Sequence, residues 1–228
     1  MQLLLGPLTS AIAGSIGGTT FQRSGVGTLA RSRPLPTTRR TSFTNTGRSL
    51  EAYLSRNWRA LTEAQQAAWQ TAADGITWTN TFGDTIRGLG YWLYIRTNQY
   101  LRLTEQSLIS TAPAVTPPAS ITGLSSNRVT GSNTFTVSWT SGNVPAGEVW
   151  AVFATKPLSR GKLVPGTAYR YVQRIVAGTA TGASIRNAYD TRFGPLPSTS
   201  QRCWVRVVPI ITTTGINGPY MEVPVTIT

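Results

Sequence analysis

Residues 48–73 carry the clearest helical pattern of hydrophobic positions in the chain. Apolar side chains recur there at steps of three and four residues, on one face of a helix: Leu50, Tyr53, Leu54, Trp58 and Leu61. Thr62 and Gln65 then have the spacing of a capping box, which predicts that a second helix begins at once. The pattern therefore predicts two consecutive helices, each with a tryptophan anchor.

Residues 88–103, GLGYWLYIRTNQYLRL, predict a third helix. The run Tyr91–Ile95 also fits a strand, but the length of the segment and its apolar spacing favour a helix. Together the three helices form a predicted small helical module over residues 47–110. Its predicted anchors are Tyr53, Trp58, Trp69 and Trp92. The aromatic side chains around Trp92 also suit a ligand platform, although packing in the core or against a subunit is the favoured interpretation.

From residue 119 onward the pattern changes to alternation with a period of two and turns at regular spacing. The predicted strands are Ser120–Leu124, Phe135–Trp139, Val149–Ala154, Tyr169–Val176, Ala183–Arg186, Cys203–Ile210 and Met221–Thr226. The predicted inward positions are Phe135, Val137, Trp139, Trp150, Val152, Cys203, Val205 and Val207. These strands predict an all-β sandwich over residues 119–228. The segment 111–118, TAPAVTPP, is a predicted Pro-rich linker before it.

Residues 1–46 contain few apolar side chains and many Gly, Ser, Thr and Arg residues. Short β segments are expected near Thr19–Arg23 and Thr28–Arg33, but such a segment cannot build a core of its own. We therefore predict an extended basic arm that is ordered by neighbouring subunits, with its own domains as the alternative. The arm residues predicted to bind a partner are Phe21, Arg23, Arg31, Arg33, Arg39 and Arg40. The predicted fold class is thus α+β in several parts: arm, helical module and sandwich.

The charge of the chain changes what these parts are expected to contact. The formal net charge is +13, and residues 1–50 contain six Arg and no acidic residue. Arginine suits interfaces and phosphates because its guanidinium group bonds in a bidentate fashion. We favour acidic groups on a partner protein over nucleic acid. With only Phe21 and Phe43 available for base stacking, any contact with nucleic acid is expected to be non-specific.

The residues that most enzymes need are scarce. The chain has no His, one cysteine, Cys203, and eight acidic residues without the spacing of a catalytic pair. Metalloprotease, P-loop and nucleophile-elbow motifs are absent. We therefore predict no enzyme activity and no catalytic, cofactor-binding or metal site. Neither a membrane span nor a signal peptide is expected, because the apolar runs are short and MQLLLGPL lacks basic residues.

Residues 117–228 resemble a fibronectin type III or related immunoglobulin-like domain. The resemblance is carried by PPASITGLSS, by FTVSW with Trp139 and by WVRVVPIITTTGINGPY. It implies two antiparallel sheets packed face to face. One departure concerns the penultimate strand, where such domains usually begin with a tyrosine and this chain has Cys203-Trp204. A tyrosine corner is therefore expected to be absent or replaced.

Most of the chain is similar to a family of small proteins encoded in the structural gene clusters of tailed phages and prophages. The similarity is carried by GSIGGTTFQRSGVGTLARSRPLPT, RNWRALTEAQQAAW, GLGYWLYIRTNQYL, the Pro-rich hinge and a T-x-P-L-S-x-G stretch at residues 155–161. It implies a structural protein of the bacteriophage virion, capsid-associated as a minor or cement-type protein rather than part of the tail.

The same resemblance implies the partners. They would be the major capsid protein or neighbouring structural subunits, together with further copies of this chain in the particle. Two alternatives remain open: a tail or adhesion protein that binds host surface glycans, and a basic virion protein that contacts packaged DNA.

Overall fold

The chain combines helices with several small antiparallel sheets, which confirms the predicted α+β class. The computed structural model describes residues 2–3, 13–16, 18–24, 27–32, 42–79, 82–129, 134–159, 161, 169–195 and 201–226. Two compact units are present, Met1–Ile95 and Arg96–Thr228. The division between them falls inside helix α3 (Gly90–Leu103) and not at the predicted linker 111–118.

The N-terminal part of the first unit forms a four-stranded antiparallel sheet where an extended arm was predicted over residues 1–46. Across the sheet in the order β1-β4-β3-β2, the strands are β1 (Gln2–Leu3), β2 (Gly14–Ile16), β3 (Thr19–Ser24) and β4 (Gly27–Ser32). The expected short β segments correspond to β3 and β4. Ladder hydrogen bonds satisfy the backbone, so a segment poor in apolar side chains gains order through strand pairing.

Two helices follow the sheet, α1 (Ser42–Ala60) and α2 (Glu63–Asp74). Helix α1 begins before the boundary predicted at residue 47. The predicted capping box is confirmed: the Thr62 hydroxyl accepts a hydrogen bond from the Gln65 amide at 3.2 Å, and Gln65 Oε1 accepts one from the Thr62 amide at 2.9 Å. Two of the otherwise unpaired amides at the start of α2 are thereby satisfied.

Aromatic side chains form the core between these helices and the start of α3. Trp69 is fully buried and meets Tyr94 edge-on at 5.3 Å between ring centroids. Trp58 lies 5.4 Å from Tyr94 and 5.7 Å from Tyr91, whose hydroxyl is 2.7 Å from the Ser55 hydroxyl. Edge-to-face contacts of this kind add to the free energy gained from burying the rings.

The start of α3 is fixed against α2 by a close backbone approach. A Cβ atom at Gly90 would lie 2.6 Å from the Gln70 amide nitrogen, so only glycine fits there. The Gln70 side chain accepts a hydrogen bond from the Gly90 amide and donates one to the Gly88 carbonyl, both at 3.0 Å. A short hairpin of β5 (Trp78–Thr79) and β6 (Thr85–Ile86) lies between the two helices in sequence.

The second unit contains two antiparallel sheets and one further helix. The four-stranded sheet has the order β10-β9-β12-β13, and the three-stranded sheet has the order β11-β8-β7. The elements are β7 (Ser125–Val129), β8 (Thr134–Ser138), β9 (Glu148–Ala154), β10 (Arg170–Ile175), β11 (Ala183–Ser184), α4 (Arg186–Phe193), β12 (Arg202–Ile211) and β13 (Met221–Thr226). Five of the predicted strands are confirmed with small shifts at their ends.

Two predicted strands are wrong in position or type. No strand forms at Ser120–Leu124, because Gly123 has a positive φ of 60° and interrupts the extended backbone. The strand β7 follows it instead. The strand predicted at Ala183–Arg186 ends after Ser184, and α4 begins at Arg186. The sequence prediction missed this helix.

The main core lies between the two sheets and contains all of the inward positions predicted from the alternation. These residues are Phe135, Val137, Trp139, Trp150, Val152, Cys203, Val205 and Val207. Tyr189 of α4 is fully buried in the same core, and its hydroxyl donates to the Thr155 carbonyl at 2.8 Å. A buried tyrosine bonded to a backbone carbonyl is therefore present, but it comes from α4 and not from the penultimate strand.

The four-stranded sheet also carries apolar side chains on its outer face. These residues are Val149, Ala151, Val208 and Ile210, all buried. Tyr100 and Leu103, from the second half of α3, pack on them. Arg174 of β10 forms an ion pair with Glu105 at 2.7 Å and donates to the Thr104 carbonyl. Residues just after α3 are thereby bonded to the sheet.

Replacing Trp69 by Ala is expected to lower the free energy of unfolding by about 3–5 kcal/mol, because the indole is fully enclosed and its loss leaves a cavity. Trp92→Ala is the matched control. That indole is 37% exposed, so its loss is expected to cost clearly less than the loss of Trp69. Urea unfolding followed by circular dichroism measures both variants. Equal destabilisation would contradict the assignment of Trp69 to the core and Trp92 to the surface.

A fragment of residues 96–228 is expected to be soluble and folded. A fragment of residues 119–228 is expected to be less stable or to aggregate, because the outer apolar face of the four-stranded sheet loses Tyr100 and Leu103. The two fragments are compared by the dispersion of their amide proton signals in NMR spectra and by the midpoint temperature of their thermal unfolding. Equal stability would show that the predicted boundary at 111–118 is the real limit of the folding unit.

Candidate functional site

The described part of the chain contains no cluster of three or more His, Cys, Asp or Glu side chains that could hold a metal ion. Cys203 is buried, and desolvation raises the pKa of its thiol to about 12. A thiol with that pKa is protonated at neutral pH, so it does not act as a nucleophile. None of the described helices is long and apolar enough to cross a lipid bilayer.

A cleft of 370 Å³ in the first unit also lacks reactive groups. It is lined by residues 74–77 and 85–88, at the end of α2 and along the β5–β6 hairpin. Asp74 and Arg87 carry its charges, and they form an exposed ion pair at 3.1 Å. An exposed and mutually neutralised pair offers neither a desolvated base nor a free cation.

The predicted arm residues lie on the N-terminal sheet as far as they are described. Phe21 is half-buried on β3, between Gly14 of β2 and Ala30 of β4. Arg31 is exposed on β4, opposite Thr20. The backbone of Arg23 belongs to β3, whereas Arg33, Arg39 and Arg40 lie outside the described residues.

The four predicted anchors of the helical module differ in how far the structure buries them. Trp69 is fully buried and Trp58 is half-buried. Tyr53 is 46% exposed and Trp92 is 37% exposed, so the structure does not enclose them. Tyr53 lies on α1 and Trp92 on α3. Leu89, 40% exposed, lies one turn before Trp92.

The charged side chains of Arg128 on β7 and of Arg186 and Asp190 on α4 lie close enough to influence one another. Arg128 is 2% exposed and donates from Nη1 to the Thr134 carbonyl at 2.8 Å. Desolvation, and next the charge of Arg186, lower the pKa of Arg128. Asp190 pairs with Arg186 one turn along α4 and offsets this repulsion. Buried ion pairs of this kind are costly to break, which indicates a structural role.

The most organised polar surface of the second unit surrounds Arg206 on the outer face of β12. Its guanidinium group stacks between two tyrosine rings, 4.0 Å from the centroid of Tyr169 and 4.1 Å from that of Tyr220. Glu222, directly opposite on β13, accepts from Arg206 Nη2 at 2.8 Å and from the Tyr169 hydroxyl at 2.9 Å. We name these four residues the tyrosine clamp.

The surroundings of Tyr169 and Glu222 in the tyrosine clamp shift the pKa values of both side chains. Desolvation, and next the hydrogen bond to Glu222, raise the pKa of Tyr169 above its usual range. Desolvation acts to raise the pKa of Glu222, but hydrogen bonds from Arg206 and Tyr169 outweigh it and lower that pKa. The clamp therefore presents a neutral phenol beside a charged carboxylate and guanidinium at neutral pH.

Sequence reasoning did not single out the tyrosine clamp. Alternation along β12 put Val205 and Val207 inside, which leaves Arg206 on the outer face. Tyr169 and Tyr220 precede β10 and β13, the two edge strands of the four-stranded sheet, so no local pattern indicates that their rings meet. The available signal was the isolated Glu222 in an otherwise uncharged strand, since a lone acid implies a basic partner across the sheet.

The clamp predicts how stability depends on pH. Because the pKa of folded Glu222 is lowered, its contribution is present above the unfolded pKa of about 4.3 and is lost as the pH falls through the folded pKa. Glu222→Gln is therefore expected to be less stable than the parent chain at pH 7, and the difference should vanish as the pH falls well below about 4.

Urea unfolding at a series of pH values measures this effect, and Arg206→Gln supplies the control. In that background, Glu222→Gln is expected to change stability much less, because the charged partner is already gone. A Glu222→Gln effect that persists unchanged at acidic pH would contradict the ion pair as its source.

Neither a protein-family model nor a curated protein matches the chain. Among solved structures, a Fn3-like protein from Clostridium thermocellum is 16% identical to it, with a TM-score of 0.31. The match covers 50% of this chain and 96% of that protein. At this TM-score the likeness carries no argument about function.

Proposed function

We propose that this protein is a structural component of a bacteriophage virion. Its first ~110 residues dock onto the capsid or a neighbouring virion protein, and its second part is displayed as a fibronectin type III-like sandwich. The partners are the major capsid protein or adjacent structural subunits, together with further copies of the chain in the particle. The proposal rests on the sequence resemblance and on the character of the N-terminal sheet.

The N-terminal sheet is the observation that carries the docking part of the proposal. Its strands are two to six residues long, and Phe21 is the one aromatic side chain among them. Within the described residues, the outer strands β1 and β2 each pair on one side. A small sheet with few apolar side chains gains little stability by itself, and its unpaired edges are templates for another chain.

Charge supports a protein partner of acidic character. Residues 1–50 contain six Arg and no acidic residue, and Arg31 is exposed on β4. The self-repulsion of such a segment is relieved by acidic groups on the surface it meets. The exposed Trp92 of α3, and the exposed Leu89 just before that helix, add apolar surface in the same unit.

The hydrophobic core of the second unit supports the proposal that this part of the chain is displayed. The sheet orders β11-β8-β7 and β10-β9-β12-β13 fit a sandwich of three strands on four, with the predicted inward residues between them. A domain with a core of this kind keeps its fold without a partner, which is what a displayed module requires. A chain with one part that docks and one part that is displayed suits a capsid-associated minor or cement-type protein.

Deleting residues 1–40 is expected to reduce the amount of the protein in purified particles severalfold, because the docking sheet is removed. The experiment uses a phage or prophage that encodes the chain, with quantitative mass spectrometry of gradient-purified particles. Arg31→Glu is expected to reduce incorporation as well, because it reverses an exposed charge on the sheet.

The matched control is Arg192→Glu, which reverses an exposed charge on α4 and is expected to incorporate normally. Normal incorporation of the truncated chain would overturn the docking role of residues 1–40. Absence of the full-length chain from particles would overturn the virion assignment itself.

A further inference from the structure

The outer face of the four-stranded sheet has a covered part and an open part. Tyr100 and Leu103 cover the first, over the apolar residues of β9 and β12. The open part carries the tyrosine clamp, in which Tyr220 is 55% exposed. One face of the Tyr220 ring contacts the Arg206 guanidinium, so the exposed surface is the opposite face and the ring edge. An aromatic face is thus held in place and left open.

We propose that the tyrosine clamp is a carbohydrate-binding site that takes a neutral pyranose ring. The sugar stacks its C–H face on the open side of Tyr220, because axial hydrogens carry a partial positive charge and the aromatic face is negative. Its hydroxyl groups bond to the Glu222 carboxylate as acceptor and to the Arg206 guanidinium as donor. Stacking with a few directed polar contacts is how a small site fixes orientation.

The charges of the clamp favour a neutral polyol over an anionic ligand. Arg206 and Glu222 form an ion pair at 2.8 Å, so together they carry no net charge. A phosphate or sulfate group would approach the Glu222 carboxylate as well as the guanidinium, and like charges repel. A hydroxyl group donates and accepts, so it satisfies both members of the pair at once. Sugars present several such groups on a rigid ring.

The size of the open aromatic surface argues against a protein partner. A stable protein interface needs about 800 Å² on each side, with several buried anchors. Tyr220 is the one large apolar side chain of the clamp that is more than a third exposed, whereas Tyr169 is half-buried. One stacking ring flanked by a paired acid and base matches a monosaccharide unit better than a protein surface.

The clamp is organised before a ligand arrives. The rings of Tyr169 and Tyr220 hold the guanidinium from two sides, and the Tyr169 hydroxyl donates to Glu222 at 2.9 Å. Arg206 and Glu222 are also direct cross-strand neighbours in the β12–β13 register. Side chains fixed in this way lose little conformational entropy on binding, which raises the affinity of a small site.

The test is calorimetric titration of the full purified chain with neutral oligosaccharides of glucose, galactose and mannose. We expect at least one to bind, and we expect Tyr220→Ala to weaken that binding about tenfold or more. Tyr220→Phe keeps the ring and is expected to retain the affinity. Val176→Ala removes a side chain that is 53% exposed outside the clamp, and it is expected to bind like the parent chain.

Circular dichroism establishes that Tyr220→Ala is folded, and Glu222→Gln provides a second variant that is also expected to bind more weakly. The proposal is overturned if no neutral oligosaccharide binds the parent chain at millimolar concentration. It is equally overturned if Tyr220→Ala and Glu222→Gln bind as tightly as the parent, or if only sulfated heparin oligosaccharides bind. These measurements need no virus particle, so their outcome is independent of the virion assignment.

Discussion

The second unit is constrained by a sheet that is apolar on both of its faces. In β9, Trp150 and Val152 point into the core between the sheets, while Val149 and Ala151 point outward and are equally buried. A sheet of this kind must be covered twice. The three-stranded sheet covers one side, and the second half of α3 covers part of the other. The second half of α3 therefore packs as part of this unit.

The same constraint explains where polar groups collect. Outward positions under Tyr100 and Leu103 must be apolar, because an unpaired polar group buried there would be costly. Beyond that cover, the outer face carries Arg206 and Glu222, whose charges are stacked and paired with each other. The outer face of the sheet is thus divided into an apolar part that is covered and a polar part that is open. The open part is a small surface on which a ligand can bind without a deep pocket.

Sequence patterns predicted the features that depend on neighbours along the chain. The capping box at Thr62 and the inward positions of β8 and β12 follow from local spacing alone. Helix α4 was missed because its eight residues, RNAYDTRF, contain only two large apolar side chains, the buried Tyr189 and the partly buried Phe193. The exposure of Trp92 and the meeting of the Tyr169 and Tyr220 rings depend on tertiary packing, which no local pattern records. The continuous apolar run in β9 did indicate a strand covered on both faces, and hence a further element packed on the outer face of the sheet.

Both surfaces proposed for binding follow from one physical rule. Tyr, Trp and Arg side chains contribute most of the energy of protein interfaces, and aromatic rings also stack on smaller ligands. In the first unit, Trp92 remains at the surface of α3 beside Leu89, while the basic strands of the N-terminal sheet lack a core of their own. In the second unit, the two tyrosine rings hold Arg206 in one position. The chain has no histidine and its one cysteine is buried, and both proposals rest on surfaces of aromatic and arginine side chains.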